Sequence, residues 1–356
     1  MSTFAVTVET IARVVHHPGA DRLDLAVLRR FPDWQFVVGR ASCAEDDRVI
    51  YFPIDSLLPA SVIAALGLTG RLAGPQTNRI KTIRLRGAIS QGVCARPDLL
   101  LPAHRVGMIA EGDDLTSELG VTKYEPPAIP CHQGRLVPLP GLVPHYDIEG
   151  SERFQHIVDL LMDVPVLVSE KVEGSHLAVL RQADGTLSVC QRNFQILPDP
   201  VAGEHDWFKA MRQAGVDTTL ARLAEVFPGR GITVRGEVLG PGVQGNLYRL
   251  PALTVRAFEI EVDGIAVDAG RFVELMAGMP TATVPVLDQG RTLRDILAGR
   301  SVAAASTGPS LLSPDPAKPL LREGIVIKPM HEMRHPDLGR VVLKKRSPEY
   351  LAGNDW

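Results

Sequence analysis

The sequence predicts an α+β protein with two domains, and three stretches of the chain support this. Residues 1–125 contain short strand-like runs, separated by turn signals such as HPGADR and AEDD, with one helical insertion near 60–66. This pattern is typical of a small β-barrel. Residues 126–150 are rich in proline and glycine and are expected to form a linker. Residues 151–356 alternate strands with helices such as SERFQHIVDLLMD and DWFKAMRQAGVDTTLARLAEVF.

The composition is that of a globular protein without a membrane segment. The 356 residues carry a net charge of −3, so a nucleic-acid site would have to be a local basic patch. The four cysteines are scattered without metal-ligand spacing, which fits a reducing cytoplasm. No signal peptide and no apolar run near the ~20 residues of a membrane span are found. We expect a cytoplasmic protein that does not contact membranes.

A basic run in the first domain is a candidate for such a patch. The segment NRIKTIRLRGAISQG holds four cations and no acid, namely Arg79, Lys81, Arg84 and Arg86. In a continuous strand, Arg84 and Arg86 share one face while Ile83 and Leu85 share the other. The run is either a solvated outer face or a strip that binds a nucleic-acid backbone.

Charged residues interrupt apolar strands of the second domain, where an unpaired charge is costly. The segments are KVEG, VRGEVLG, REGIVIKP and VVLKKRS, which contain Lys171, Glu237, Glu323, Lys328 and Lys344–Arg346. Taken alone, KVEG is also compatible with an ordinary turn, and Glu237 with an edge-strand charge. Four such segments in one domain indicate a shared polyanionic ligand with a metal ion.

Nucleotidyl transfer is the chemistry that uses this set. A lysine amine attacks the α-phosphorus of a nucleoside triphosphate, and the amine must be neutral to do so. We expect nearby cations and partial burial to lower the pKa of Lys171. Carboxylates would hold the metal, further cations would neutralise the phosphates, and Gly174 would let the backbone approach the nucleotide.

In this order, the segments resemble the motifs of the covalent nucleotidyltransferases, which include ligases and mRNA capping enzymes. KVEGS resembles their Lys-x-Asp-Gly motif and departs from it at Glu173, which would orient the nucleophile or cap a turn. The resemblance makes Lys171 the nucleophile and assigns ribose, base, phosphate and metal contacts to Glu170, Gly174, Arg192, Glu237, Phe258, Glu323, Lys328, Lys344 and Arg346. Glu237 and Glu323 would hold Mg²⁺ or Mn²⁺, and Phe258 would stack on adenine. From the residues alone, Phe258 also fits a core position, Arg192 a surface charge and Glu170 a plain edge residue. His176 could lie near the phosphates or have no role in the site.

Further segments, among them GPGVQGNLY, HPGADRLDLAVL and LGVTKYEPP, resemble RNA ligases of the Deinococcus type. This resemblance implies an OB-like barrel over 1–125, the linker 126–150, and an adenylyltransferase domain with ATP-grasp-like antiparallel sheets over 151–356. Only ten residues follow Arg346, so we expect no C-terminal OB domain of the kind found in DNA ligases and capping enzymes.

The activity implied is ATP-dependent sealing of 3′-OH/5′-phosphate nicks through lysyl-AMP. The partner would be a nicked duplex with RNA on the 3′-OH side, the protein would be a monomer, and its role would be RNA repair. Two alternatives stay open: an adenylyltransferase that acts on another acceptor, and an inactive RNA-binding protein.

Overall fold

The computed structural model describes residues 4–125, 135–199, 201 and 203–353. Part of the predicted linker, 126–134, therefore lies outside the described residues. Within the described ranges, no helix is both long and apolar enough to cross a membrane.

The first part of the chain forms short strands around a barrel-like sheet, as predicted. Its elements are β1 (Thr7–His16), β2 (Leu23–Leu28), β3 (Gln35–Gly39), β4 (Arg48–Phe52), β5 (Ser56–Leu57), α1 (Ala60–Ala65), β6 (Thr82–Leu85), β7 (Ala88–Gln91), β8 (Val93–Ala95), α2 (Ala103–Val106) and β9 (Thr122–Lys123). Five antiparallel strands follow the order β3-β2-β1-β4-β8. Strand β1 pairs with β4 over its first half and with β2 over its second, with an irregular register between Ile11 and Arg13. Strand β1 thereby passes from one partner to the other, which curls the sheet.

The basic run forms a hairpin and not the single strand that we expected. Strands β6 and β7 pair on either side of a turn at Arg86 and Gly87, which have φ values of +49° and +94°. A two-residue turn of this kind needs positive φ, which glycine adopts without strain. Arg86 therefore lies at the tip of the hairpin and does not share a strand face with Arg84. The apolar side chains of β6 are exposed as well, with Ile83 at 43% and Leu85 at 37%.

The second part of the chain contains two larger sheets and most of the helices. Its elements are β10 (Arg135–Pro138), β11 (Glu149–Gly150), α3 (Gln155–Leu161), β12 (Pro165–Lys171), β13 (Ser175–Arg181), β14 (Leu187–Cys190), β15 (Phe194–Leu197), α4 (Asp206–Gln213), α5 (Val216–Val226), β16 (Ile232–Leu239), β17 (Thr254–Val262), β18 (Ile265–Ala266), α6 (Ala269–Met276), β19 (Val286–Thr292), α7 (Leu293–Leu297), α8 (Val302–Ser306), β20 (Gly324–Pro329), β21 (Arg334–His335), β22 (Gly339–Arg340), β23 (Leu343–Arg346) and α9 (Pro348–Gly353). The long helix expected over 206–227 is divided into α4 and α5 at Gly215, whose φ of +66° ends the first helix.

The two sheets are antiparallel apart from the β11–β23 pair. One sheet has the order β10-β15-β14-β13-β16-β17-β18, and the other has the order β11-β23-β20-β12-β19. Helices α4, α5 and α6 pack apolar residues on the first sheet, while α3, α7 and α8 do so on the second. The α+β class and the antiparallel sheets agree with the prediction.

Two short parts of the stretch that we expected to be linker, 135–138 and 149–150, pair with these sheets. Strand β10 pairs with β15 at the edge of the seven-stranded sheet, and β11 pairs with β23 at the edge of the five-stranded sheet. The prolines and glycines of this segment mark turns between edge strands, which have the same composition as a flexible linker.

The KVEG segment joins the two sheets. Strand β12 ends at Lys171 in the five-stranded sheet, and β13 begins at Ser175 in the seven-stranded sheet. The strands on either side belong to different sheets, so KVEG is not the turn of a hairpin. A Cβ at Gly174 would lie 2.6 Å from the Leu239 side chain and 2.7 Å from the Val238 carbonyl oxygen, and the expected approach of this backbone to the nucleotide stays a prediction. Gly174 permits close packing of the crossing chain on β16.

Candidate active site

A cavity opens where the two sheets meet, beside the KVEG segment. Its walls include most of the residues singled out from the sequence together with apolar groups: Tyr146, Asp147, Ile148, Ser169, Glu170, Lys171, Val172, His176, Arg192, Glu237, Phe258, Val284, Val326, Lys328 and Lys344. Glu323 contacts Lys171 at the edge of this cavity. The structure therefore brings together residues that lie far apart in the sequence.

Lys171 is held by a carboxylate and remains accessible. Its Nζ lies 2.7 Å from each of the Glu323 carboxylate oxygens, and a quarter of its side chain is exposed. It is the last residue of β12 and faces Gly324 of β20 across the strand pair, which places Glu323 directly beside it. The lysine is thus positioned at the strand end and does not project from a turn.

The electrostatic setting of Lys171 is the reverse of the one expected. Burial lowers its pKa, but the charges of Glu323, Glu237 and Glu173 outweigh burial, so the net result is a raised pKa. In the ligand-free chain the amine is therefore firmly protonated. Cations that compensate the three carboxylates would have to arrive with the ligands before the amine could attack.

Glu237 has the features of a metal ligand. It lies in β16, and its Oε2 atom is buried without a hydrogen-bond partner among the described residues. Burial raises the pKa of Glu237 to about 7, even though Lys171 acts against this. A buried carboxylate oxygen without a partner, next to Glu323, suits a hard divalent cation such as Mg²⁺ or Mn²⁺. The residues therefore fit the expected metal.

Glu173 connects the nucleophile to the C-terminal helix. Its carboxylate accepts a hydrogen bond of 2.8 Å from the Tyr350 hydroxyl of α9, and its backbone N–H donates to the Tyr248 hydroxyl. Burial and the neighbouring Glu323 raise the pKa of Glu173 to about 7. Sequence reasoning missed both tyrosines, because no motif links them to KVEG.

Lys328 is buried and already neutralised. Its Nζ donates to Glu259 Oε2 and to the Phe258 carbonyl oxygen, both at 2.8 Å. Burial lowers the pKa of Lys328 despite the pull of Glu259. Arg340 also contacts Glu259 at 2.8 Å, so two cations share one carboxylate. Glu259 was missed, although an acid in the apolar strand AFEIEV was a signal that could have found it.

The three cations of β23 point to different places. Lys344 lines the cavity, 3.6 Å from Asp147 Oδ1, and burial lowers its pKa to about 8. Lys345 points the opposite way and lies 5.4 Å from the centre of the Trp34 ring. Arg346, expected to contact the nucleotide, lies 3.7 Å from Asp55 of the first domain and does not line the cavity.

An aromatic wall closes one side of the cavity. Phe258 packs 5.4 Å from Tyr146 and 5.9 Å from His176, and the last two rings stack at 5.5 Å. Burial, together with Arg235, lowers the pKa of His176 to about 3, so its ring is neutral. Tyr146 was missed, since it lies in the segment that we expected to be a linker.

Two further predicted residues also line the cavity. Arg192 pairs with Asp147 at 2.7 Å and is half exposed. Glu170 is buried and accepts hydrogen bonds from the Ser310 hydroxyl and from the Leu311 backbone N–H. Burial raises the pKa of Glu170.

Comparison with known proteins agrees with this geometry. The sequence model of the RNA ligase family matches residues 164–346, which is more than half of the chain and includes the lysines and carboxylates above. The chain belongs to the RNA ligase family. An OB-fold domain model matches residues 5–97, which confirms the predicted OB-like barrel. No curated protein matches the chain at a significant level.

Solved structures of the Naegleria gruberi RNA ligase resemble this member of the family over its whole length. One variant, solved with ATP and Mn, has a TM-score of 0.75 and 25% identity, covering 98% of this chain and 99% of that one. Another variant, solved without ligand, has a TM-score of 0.74 and 25% identity, covering 98% and 97%. The same enzyme with pyrophosphate has a TM-score of 0.75 and 24% identity, covering 98% of each chain.

Proposed function

We propose that this chain is an ATP-dependent RNA ligase that uses Lys171 as its covalent nucleophile. The observation that carries the proposal is the setting of Lys171: an accessible amine, held by Glu323 at the end of β12, in a cavity with an aromatic wall and two further lysines. A nucleotide has an apolar base and an anionic triphosphate, and this cavity offers both kinds of surface. The solved relatives of this fold include complexes with ATP and Mn.

In the first step, the Lys171 nitrogen attacks the α-phosphorus of ATP. A phosphorus–nitrogen bond forms, the bond to the bridging oxygen breaks, and pyrophosphate leaves. Since Glu323, Glu237 and Glu173 keep the amine protonated in the free chain, its proton is lost only after cations offset these carboxylates. A divalent ion bound by Glu237 and Glu323 would supply that compensation and would stabilise the charge that builds on the phosphate.

The next two steps move AMP and then join the strands. An oxygen of the 5′-phosphate attacks the AMP phosphorus, the phosphorus–nitrogen bond breaks, and Lys171 is restored. The 3′-hydroxyl oxygen then attacks the activated 5′-phosphate, loses its proton, and expels AMP. Lys328 and Lys344 would hold the phosphate oxygens, and Phe258 would stack on adenine. Arg192 would contact the ribose or the incoming end.

The substrate that we propose is a nicked duplex with RNA on the 3′-OH side, recognised by its shape and its 2′-hydroxyl. The barrel of residues 1–125 would act as a clamp, with the β6–β7 hairpin and its Arg86 tip on the phosphate backbone. The adenylyltransferase domain would extend from residue 135, since β10 and β11 belong to its sheets. We propose that the protein acts as a cytoplasmic monomer in RNA repair.

Covalent labelling tests the first step. The protein is incubated with α-labelled ATP and Mn²⁺ and separated under denaturing conditions. Wild type and Lys318→Ala, which changes an exposed lysine outside the cavity, should both retain label, and Lys171→Ala should not. Label on Lys171→Ala would show that another residue is the nucleophile.

A sealing assay tests the acceptor. Duplexes that differ only in having a ribose or a deoxyribose at the 3′-OH end of the nick are compared with the same enzyme. We expect sealing of the ribose end and accumulation of adenylylated 5′ ends on the other. If the protein becomes labelled but never passes AMP to either duplex, it acts on a different acceptor and the ligase proposal fails.

A further inference from the structure

A second cluster of ligating side chains lies outside the cavity, on the surface formed by α3 and the β21–β22 hairpin. His156 Nε2 lies 3.0 Å from Asp337 Oδ2, and His335 Nδ1 lies 3.8 Å from the same oxygen. The two imidazole rings meet edge to face at 5.4 Å. One candidate ligand atom from each residue lies within 4.8 Å of the others.

We propose that His156, His335 and Asp337 form a binding site for a borderline-soft divalent metal ion such as Zn²⁺. Two imidazoles and one carboxylate are the donors that Zn²⁺ takes, whereas Mg²⁺ and Ca²⁺ favour oxygen donors alone. Donors at about 2.0–2.1 Å in a tetrahedron lie about 3.3 Å apart. The two separations from Asp337 Oδ2, 3.0 and 3.8 Å, bracket that value, and the candidate atoms of the two histidines lie within 4.8 Å of each other. Small side-chain adjustments would therefore complete the geometry, with water in the fourth position.

The cluster is held in place by the elements around it. His156 lies in α3 and packs 6.1 Å from the Phe154 ring. His335 and Asp337 are joined by the hairpin turn, in which the Leu338 N–H contacts the His335 carbonyl at 3.3 Å. The Asp337 N–H also lies 3.3 Å from His335 Nδ1, and a metal ion would replace this weak contact.

An ion pair between His156 and Asp337 alone would not account for the second histidine. Exposed ion pairs stabilise a fold only weakly, and such a pair gives no reason for a second imidazole at the same carboxylate. A second exposed pair, His331 Nδ1 and Asp268 Oδ2, also lies 3.0 Å apart. Among the described residues, no third ligating side chain joins this pair to form a possible metal site. That pair provides an internal comparison for the cluster.

The location of the site gives it a structural role. The β21–β22 hairpin lies in the chain between β20, which carries Lys328, and β23, which carries Lys344. Helix α3 packs on the sheet that carries Lys171. A bound ion would tie the hairpin to α3 and restrict the segment that connects the two phosphate-facing strands. It would be distinct from the ion proposed at Glu237 and Glu323.

Calorimetric titration of the tag-free, chelator-treated full chain with Zn²⁺ tests the site. We expect His156→Ala and Asp337→Asn each to bind one equivalent less than wild type, while His331→Ala binds as wild type does. Glu237→Ala should keep this equivalent, which separates it from the active-site ion. Zn²⁺ should also raise the melting temperature of wild type and of His331→Ala. In His156→Ala the part of this increase that comes from the proposed site should be missing. Equal stoichiometry in wild type and His156→Ala, or equal losses in His156→Ala and His331→Ala, would overturn the proposal.

Discussion

Two lysines of the same sheet, Lys171 and Lys328, have opposite surroundings. Lys171 is a quarter exposed and faces three carboxylates, which raise its pKa. Lys328 is almost fully buried and shares the single carboxylate of Glu259 with Arg340, and burial lowers its pKa. The first region has an excess of negative charge and needs external cations. In the second region Arg340 also pairs with Glu332 at 2.6 Å, so two cations face two carboxylates and the charges balance within the fold.

The difference shows that a charged residue in an apolar strand can serve either the stability of the fold or the binding of a ligand. Around Lys328 each charge has an oppositely charged partner inside the fold, although Glu259 Oε1 has no hydrogen-bond partner among the described residues, so the loss of these charges should be seen in stability. Around Lys171 the charges leave Glu237 Oε2 without a partner, so their loss should be seen in ligand binding and catalysis. Substitutions in the two regions should therefore separate the two kinds of effect.

The largest effect should follow the change Lys171→Arg. Arginine keeps the positive charge beside Glu323 but stays protonated, so it cannot attack phosphorus. Lysyl-AMP formation should fall by at least about 10⁴-fold, as for other lost nucleophiles. Stability should remain near wild type. The labelling assay and a thermal melt measure both, and substantial adenylylation of this variant would contradict the assigned role.

A large loss of stability should follow Glu259→Gln. Burial acts to raise the pKa of Glu259, but Lys328 and Arg340 hold it at about 2, so the carboxylate stabilises both buried cations. Removing its charge should lower the free energy of unfolding by about 3–5 kcal/mol. Urea unfolding at pH 7 measures this. The matched change Glu237→Gln should not destabilise the metal-free chain. Equal losses of unfolding free energy in the two variants would show that the regions around Lys328 and Lys171 do not differ in this way.

The same two glutamates should give opposite pH dependences of stability. Glu237 has a folded pKa of about 7 against an ordinary 4.5, so its contribution falls as pH rises between these values. Glu259 has a folded pKa of about 2, so its contribution is full above 4.5 and falls as pH drops toward 2. In chelator, Glu237→Gln should therefore gain about 1–3 kcal/mol relative to wild type between pH 5 and pH 8.

Chemical unfolding at these two pH values, with and without Mn²⁺, measures this effect. Mn²⁺ at pH 8 should restore wild-type stability, because a bound cation replaces the missing partner of Glu237, and it should have less effect on the variant. An unchanged pH slope in Glu237→Gln would show that another group dominates the region around Lys171.

The smallest effect should come from Tyr350→Phe. The change removes one hydrogen bond to Glu173 without removing the ring that packs in α9. The free energy of unfolding should fall by about 1 kcal/mol, and the rate of lysyl-AMP formation should fall several-fold with little change in ATP binding. Single-turnover labelling at several ATP concentrations separates the rate of lysyl-AMP formation from ATP binding. A variant that equals wild type in both would show that Tyr350 does not position Glu173.

Much of the fold and of the site could be predicted because the relevant signals are local. Strand patterns define the barrel, and Lys171, Glu237, Lys328 and Lys344 stand out as charges in apolar strands that the structure brings to one cavity. Arg86 was misplaced because a turn with positive φ at a non-glycine residue has a weak sequence signal.

The missed residues depend on tertiary contacts. Tyr146 reaches the cavity only because residues 135–150 add edge strands to both sheets, and Tyr350 reaches Glu173 only because α9 folds back. The raised pKa of Lys171 in the ligand-free chain was also not foreseen, because the balance between burial and three carboxylates depends on distances that spacing along the chain does not define.

The alternation of side chains along β23 has a consequence for domain exchange. Lys344 faces the cavity, while its neighbour Lys345 is buried against Trp34 of the barrel, 3.6 Å from Glu152. A chimaera that carries another ligase's barrel would have to keep an aromatic ring at the position of Trp34, or leave a lysine buried one residue away from the phosphate site. A replacement barrel therefore has to be matched to Lys345 of the second domain.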